Sequence, residues 1–164
     1  YMDFMINQIY IANNDTGNMQ YYQVPPNGKW KQIYQDLDIT FYSFDTLALR
    51  MDPNTAGSDI FNALLKNKGW RNRFIERFAW ALKNIYNADR VTAAIDEAAG
   101  LIRGEVEAEH KRWSGERPAL QEWEAGVQAL KAFAQKRPAA VVNHLKQHFQ
   151  LTQAQIDMLN DAIK

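Results

Sequence analysis

The chain has 164 residues, 46% of them hydrophobic and 23% charged, and its 19 basic and 19 acidic side chains cancel to a net charge of zero. That length suits one domain or one large lobe with a sizeable core, and the balanced charge gives no support to a general nucleic-acid or polybasic membrane surface. No apolar run approaches the length of a membrane span, and the lack of cysteine excludes disulfides and thiolate metal sites.

Residues 2 to 12 are apolar nearly all round (Phe4, Met5, Ile6, Ile9, Tyr10, Ala12), which predicts a buried helix. A helix this aromatic at residue 1 reads as part of a longer protein, so the segment carries no information on a leader peptide. Asn13-Asn14-Asp15-Thr16-Gly17-Asn18 then breaks the helix with strong turn formers. Met19 to Val24 and Lys29 to Tyr34 read as two strands joined by Pro25-Pro26-Asn27-Gly28, a β-hairpin. Residues 42 to 57 show no period and predict a long loop, the kind that is more often functional than idle.

From Ser58 the pattern is helical to the end. Ser58 is the expected cap of a short helix ending near Gly69. Trp70 to Tyr86 is amphipathic, with Phe74, Phe78, Leu82 and Ile85 on one stripe. Asp89 is the expected cap of one long helix reaching Trp113, with His110 and Trp113 on its buried stripe. Ser114-Gly115 and Arg117-Pro118 mark a break, Leu120 to Phe133 another helix, Arg137-Pro138 the start of the next, and Thr152 the cap of the last. The fold class is therefore mainly α with a small β-hairpin (α+β). Residues 1–57 carry the first helix, hairpin and loop, and 58–164 form a helical subdomain of the same unit.

Chemistry concentrates at the two ends of the hairpin. Asp15 and Asn18 stand at one end and Asp36 and Asp38 at the other, so closing the hairpin gathers oxygen ligands suited to a divalent cation and the phosphates that accompany it. Two readings of Asn13–Asn18 stand side by side: a general base with a metal-binding asparagine, or an Asx-type turn after a helix. Alternation along a strand places Asp36 and Asp38 on one side with Leu37 toward the core, and carboxylates so placed repel unless a cation or proton lies between them. His144 and His148, at i and i+4, lack the intervening glutamate of a metalloprotease helix, and Arg73 and Arg77 read as a solvated or ion-paired face beside Glu76.

These residues resemble the spore-coat CotH kinase-like family. The resemblance rests on Asn13-Asn14-Asp15-Thr16-Gly17-Asn18, Gly28-Lys29-Trp30 and Asp36-Leu37-Asp38, and continues through Phe74-Ile75-Glu76-Arg77-Phe78, Arg112-Trp113, Trp123 and Arg137-Pro138. It implies the helical C-lobe of an atypical protein kinase that transfers the γ-phosphate of ATP, with Mg or Mn, to serine of coat or surface proteins outside the cytoplasm. By that resemblance Asp15 is the catalytic aspartate, Asn18 a metal ligand, and Asp36 or Asp38 the metal aspartate. No glycine-rich loop and no strand lysine paired to a helix glutamate accompany them, so the nucleotide-covering N-lobe is expected from residues before Tyr1 and the segment alone is expected to be inactive. The rival expectations are a non-catalytic structural or adhesive module that keeps the kinase scaffold, and a small helical metal-binding module.

Overall fold

In the computed structural model, which describes residues 1–113 and 119–164, eight α-helices and one two-stranded hairpin are present among the described residues. Helix α1 (Met2–Tyr10) is the hub. Its side chains Phe4, Ile6, Ile9 and Tyr10 are buried against α4 (Lys68–Asn84), α2 (Thr46–Met51) and the C-terminal half of α7 (Ala119–His148). The stripe predicted on α4 supplies Phe74, Phe78 and Leu82 to this core, while Ile85 at its end is exposed. Phe61 of α3 (Ser58–Lys66), Val141, Val142 and Leu145 of α7, and Leu159 of α8 (Gln153–Asp161) complete it. Tyr10 stacks on Tyr86 with ring centroids 4.2 Å apart and planes 13° from parallel, an aromatic pair that adds to simple apolar burial.

Strands β1 (Gln20–Tyr22) and β2 (Lys31–Ile33) pair antiparallel in the register Gln20↔Ile33, Tyr21↔Gln32, Tyr22↔Lys31. They are half the expected length because neither face lies on the core, and cross-strand packing alone sustains few pairs. Gly28 closes the turn by donating to the Val24 carbonyl at 2.8 Å. A Cβ at Gly28 would stand 2.4 Å from that oxygen, so this tight approach requires glycine.

Several boundaries differ from the sequence expectation. The loop at 42–57 contains α2, capped by Asp45, whose carboxylate accepts from the Ala48 amide at 3.0 Å. Gly57, not Ser58, is the N-cap of α3; its φ of 73° is left-handed, and Ser58 is the first helical residue. Asn87, not Asp89, caps α5 (Ala88–Ile102), accepting from the Arg90 amide at 2.9 Å. The long helix to Trp113 is two: a 3-10 turn at Arg103–Glu105 separates α5 from α6 (Val106–Trp113). Trp113 is 70% exposed rather than core, and every residue of α5 remains at least partly exposed. Arg137-Pro138 starts no helix. Pro138 lies inside α7, where burial of the surrounding face against the core outweighs the lost backbone hydrogen bond. Thr152 caps α8 as expected, in a reciprocal capping box with Gln155. The break at Ser114-Gly115 and Arg117-Pro118 lies outside the described residues. Among the described residues no helix is long and apolar enough to cross a membrane.

Candidate functional site at the mouth of the hairpin

The site begins where α1 ends. Ala12 takes a left-handed φ of 55°, the Ala12 amide donates to the Ile9 carbonyl (3.3 Å) and the Asn13 amide to the Gln8 carbonyl (3.1 Å). This is the paired bonding that closes a helix C-terminus and turns the chain sharply. Two Asx turns follow in tandem. Asn13 Oδ1 accepts from the Asp15 amide at 2.8 Å, and Asp15 Oδ1 accepts from the Gly17 amide at 2.9 Å and the Asn18 amide at 3.3 Å. The hydrogen bond from the Gly17 amide foremost, joined by the hydrogen bonds of Asn18 and the charge of Arg50, holds the Asp15 carboxyl below the usual carboxylate range against the opposing effect of burial.

The far end of the hairpin is bound to this turn by backbone. The Asn14 amide donates to the Ile39 carbonyl (3.1 Å) and the Phe41 amide to the Ile11 carbonyl (2.6 Å). Tyr34 packs on Phe4 and Phe41 on Phe133, and Leu37 leans on the core as expected. Asp36 and Asp38 are not on a strand, since β2 ends at Ile33 and Asp36 itself is left-handed with φ 51°. An aspartate tolerates that conformation better than most residues. The turn still brings the acids together. Asn18 Nδ2 donates to Asp36 Oδ2 at 2.6 Å, joining the two ends of the hairpin side chain to side chain. The Asp36 carboxyl is pushed above its usual range, first by its hydrogen bond with Asp38 and then by the charges of Asp38 and Asp15. All four sequence-selected residues thus meet at one place. The three carboxylates are hard oxygen ligands, and the mutual repulsion that raises Asp36 is the kind a divalent cation relieves. Among the described residues no group of three or more His, Cys, Asp or Glu side chains stands at metal-holding geometry.

One residue of the site was not singled out from sequence. Arg50, on α2, is 2% exposed and reaches under the turn, donating through one terminal nitrogen to the carbonyls of Asn13 (3.2 Å) and Asp15 (3.1 Å) and to Gln8 Oε1 (3.4 Å). Burial lowers its pKa, opposed by Tyr1, Asp15 and Tyr21. A lone cation inside the apolar run Leu47-Ala48-Leu49-Arg50-Met51 was the available signal, because charge in such a setting is retained when it has carbonyls to bind. Arg137 plays the matching part behind α1: buried, it donates to the carbonyls of Tyr10 (2.8 Å), Ile9 (2.5 Å) and Phe44 (2.9 Å) and to Thr46 Oγ1 (3.2 Å). Its pKa is drawn down to about 10 by burial.

A sequence model described as CotH kinase protein matches residues 1–141. The chain belongs to the CotH kinase protein family. Neither a curated protein nor a solved structure matches it. The CotH match spans α1, the hairpin, both of its acid-bearing ends and Arg50, together with Arg137 at its far end.

The remaining histidines have other settings in this CotH-family chain. His144 and His148 face Asp45: His148 Nε2 lies 2.6 Å from Asp45 Oδ2 and His144 Nδ1 lies 3.4 Å from Asp45 Oδ1. The cluster fastens the N-terminus of α2 to α7. His110 is not a satisfied core histidine; it is part-exposed, and its Nε2 is buried without a hydrogen-bond partner among the described residues. Arg77 is ion-paired, but with Asp3 at 2.7 Å rather than Glu76, and it lies over the Trp80 ring.

Proposed function

We propose that the chain is the substrate- and metal-facing lobe of an atypical protein kinase that transfers the γ-phosphate of ATP to a serine hydroxyl of a coat or cell-surface protein, outside the cytoplasm. The observation that carries this reading is the Asn18–Asp36 hydrogen bond, which unites the two ends of the hairpin in a CotH-family chain. Asp15 takes the catalytic role. Ionised at neutral pH and oriented by the Gly17 and Asn18 amides, it accepts the serine proton as the serine oxygen bonds to the γ-phosphorus and the bond from that phosphorus to the β-phosphate oxygen breaks, releasing ADP. Asn18 with Asp36 or Asp38 would hold Mg or Mn. The ion, when bound, supplies the charge neutralisation on which phosphoryl transfer depends. Arg50 and Gln8 fix the backbone beneath Asp15, so positioning falls to groups already in place before substrate arrives.

The test uses the protein with whatever natural sequence precedes Tyr1, labelled ATP and Mg or Mn. Asp15→Ala and the Asp36→Ala, Asp38→Ala double variant should each lower label incorporation by about 100-fold or more, the scale of a general base or of a phosphate-neutralising centre. Incorporation that survives both changes removes the assignment. A second reading is a non-catalytic surface module that keeps the scaffold. It draws on the Asx turn, in which the Asp15 carboxylate already has a structural task. Calorimetric titration with Mn separates the two: heat that vanishes in the double variant supports the kinase, and silence with and without nucleotide supports the scaffold.

A further inference from the structure

Helices α5, α6 and the N-terminal part of α7 form an arm outside the main core, and between α6 and α7 lies a cleft of about 880 Å³. Its walls are Trp113, 70% exposed, Trp123 and Ile102, and its polar lining is Glu105, Glu109 and Glu122. No lysine or arginine is among its described lining residues. Of the nearby arginines, Arg103 pairs with Glu124, and Arg112 lies at the rim of the cleft over the Trp113 ring, its guanidinium carbon 5.0 Å from the centroid. Leu101, 81% exposed, extends the apolar surface beside Ile102.

Such a surface discriminates between partners by charge. Three carboxylates around an apolar floor repel phosphates, which argues against nucleic acid and anionic lipid headgroups alike. The same arrangement suits a lysine or arginine side chain, whose aliphatic stem covers indole while its cationic head meets a carboxylate. Arg112 on Trp113 already demonstrates within the chain that this ring takes a guanidinium. The buried Nε2 of His110, in the same lining and without a partner among the described residues, is a polar group that the cleft leaves unsatisfied. We propose that this cleft docks a basic peptide segment in which lysine or arginine alternates with apolar residues, at a site separate from the hairpin acids.

The probe is a fluorescein-labelled peptide of alternating Lys and Leu, with a Glu-Leu peptide of equal length as control, followed by anisotropy on the whole chain. The Lys-Leu peptide should bind and the Glu-Leu peptide should not. Binding should weaken about tenfold between low and physiological salt as screening shortens the reach of the carboxylates. Trp113→Ala, and separately a Glu105→Gln, Glu109→Gln, Glu122→Gln variant, should each weaken it by about tenfold, the scale of a desolvated cation–aromatic contact or a small group of ion pairs. Thermal unfolding should be unchanged for Trp113→Ala, since that ring is exposed, which separates lost docking from lost folding. Equal binding of both peptides, indifference to both variants, or no binding of the Lys-Leu peptide would overturn the proposal. So would self-association in light scattering that Trp113→Ala abolishes, which would give the cleft to a second copy of the chain.

Discussion

At the residue scale, buried arginines and turn-forming acids divide the work of building the site. Arg50 has no carboxylate in hydrogen-bond reach among the described residues; it is held by carbonyls, so its removal leaves buried oxygens without donors rather than breaking an ion pair. Arg50→Ala should lower unfolding free energy by about 2–4 kcal/mol in denaturant titrations, the sum of a buried hydrogen-bonded charge and its stranded partners. The acids behave in the opposite sense. Asp36 has a folded pKa above its unfolded value, so its contribution is intact below the unfolded carboxylate range and is lost as pH rises through the raised pKa. Asp36→Asn should therefore raise the melting temperature at neutral pH, with the advantage vanishing in acid; a variant no more stable than the parent at pH 7 would contradict the repulsion. The motif Asn13–Asn18 was legible as a turn because Asx chemistry is local. Arg50 was not, because an arginine's burial depends on a fold that brings residues 8, 13 and 15 beneath it.

At the element scale, the helices whose stripes are continuous and apolar were readable, and those that lean on distant partners were not. Phe74, Phe78 and Leu82 recur at a spacing of four and lie at the centre of the core. The stripe from Val91 to Trp113 has the same period but a different outcome, because α7 is its chief cover and Gly104 interrupts it in a 3-10 turn. Periodicity shows which face of a helix is apolar; how deeply that face is buried depends on how many elements pack over it. The difference is measurable. Phe78→Ala should destabilise by about 3–5 kcal/mol, as for a fully buried aromatic, whereas Trp113→Ala should stay within about 0.5 kcal/mol, as for a surface change. Helix α2 escaped notice because six residues are too few to show a period, although its Asp45 cap is an ordinary start signal. The hairpin was visible in its turn chemistry but overestimated in length, since nothing beneath it rewards further pairing.

At the scale of the whole molecule, stability is unevenly spread. The core around α1, α4 and the C-terminal half of α7 contains nearly all of the buried aromatics, while the arm of α5, α6 and the first half of α7 is held by partly buried contacts and surface ion pairs such as Lys131–Asp96. Local opening costs least where few apolar side chains are enclosed. In native-state hydrogen exchange the amides of α5 and α6 should therefore exchange at least about tenfold faster than those of α1 and α4, a gap of about 1.4 kcal/mol or more in opening free energy. Uniform protection across both regions would contradict this division. The helical class with one hairpin followed from composition and pattern; the split into core and arm did not, because it depends on which helix covers which, and that is set by contacts between residues far apart in the chain.

The backbone bonds from Asn14 to Ile39 and from Phe41 to Ile11, together with the grip of Arg50 on Asn13 and Asp15, give the site a place in time as well as in space. The Asx turns can form as soon as residues 13–18 exist, since their partners are two or three residues apart. Their placement cannot. It waits for loop closures spanning some thirty residues and for α2 to be made and docked. A chain emerging during synthesis would therefore carry the acids in a turn well before it carries them in register, and the mouth of the hairpin would be assembled only after Arg50 has left the ribosome.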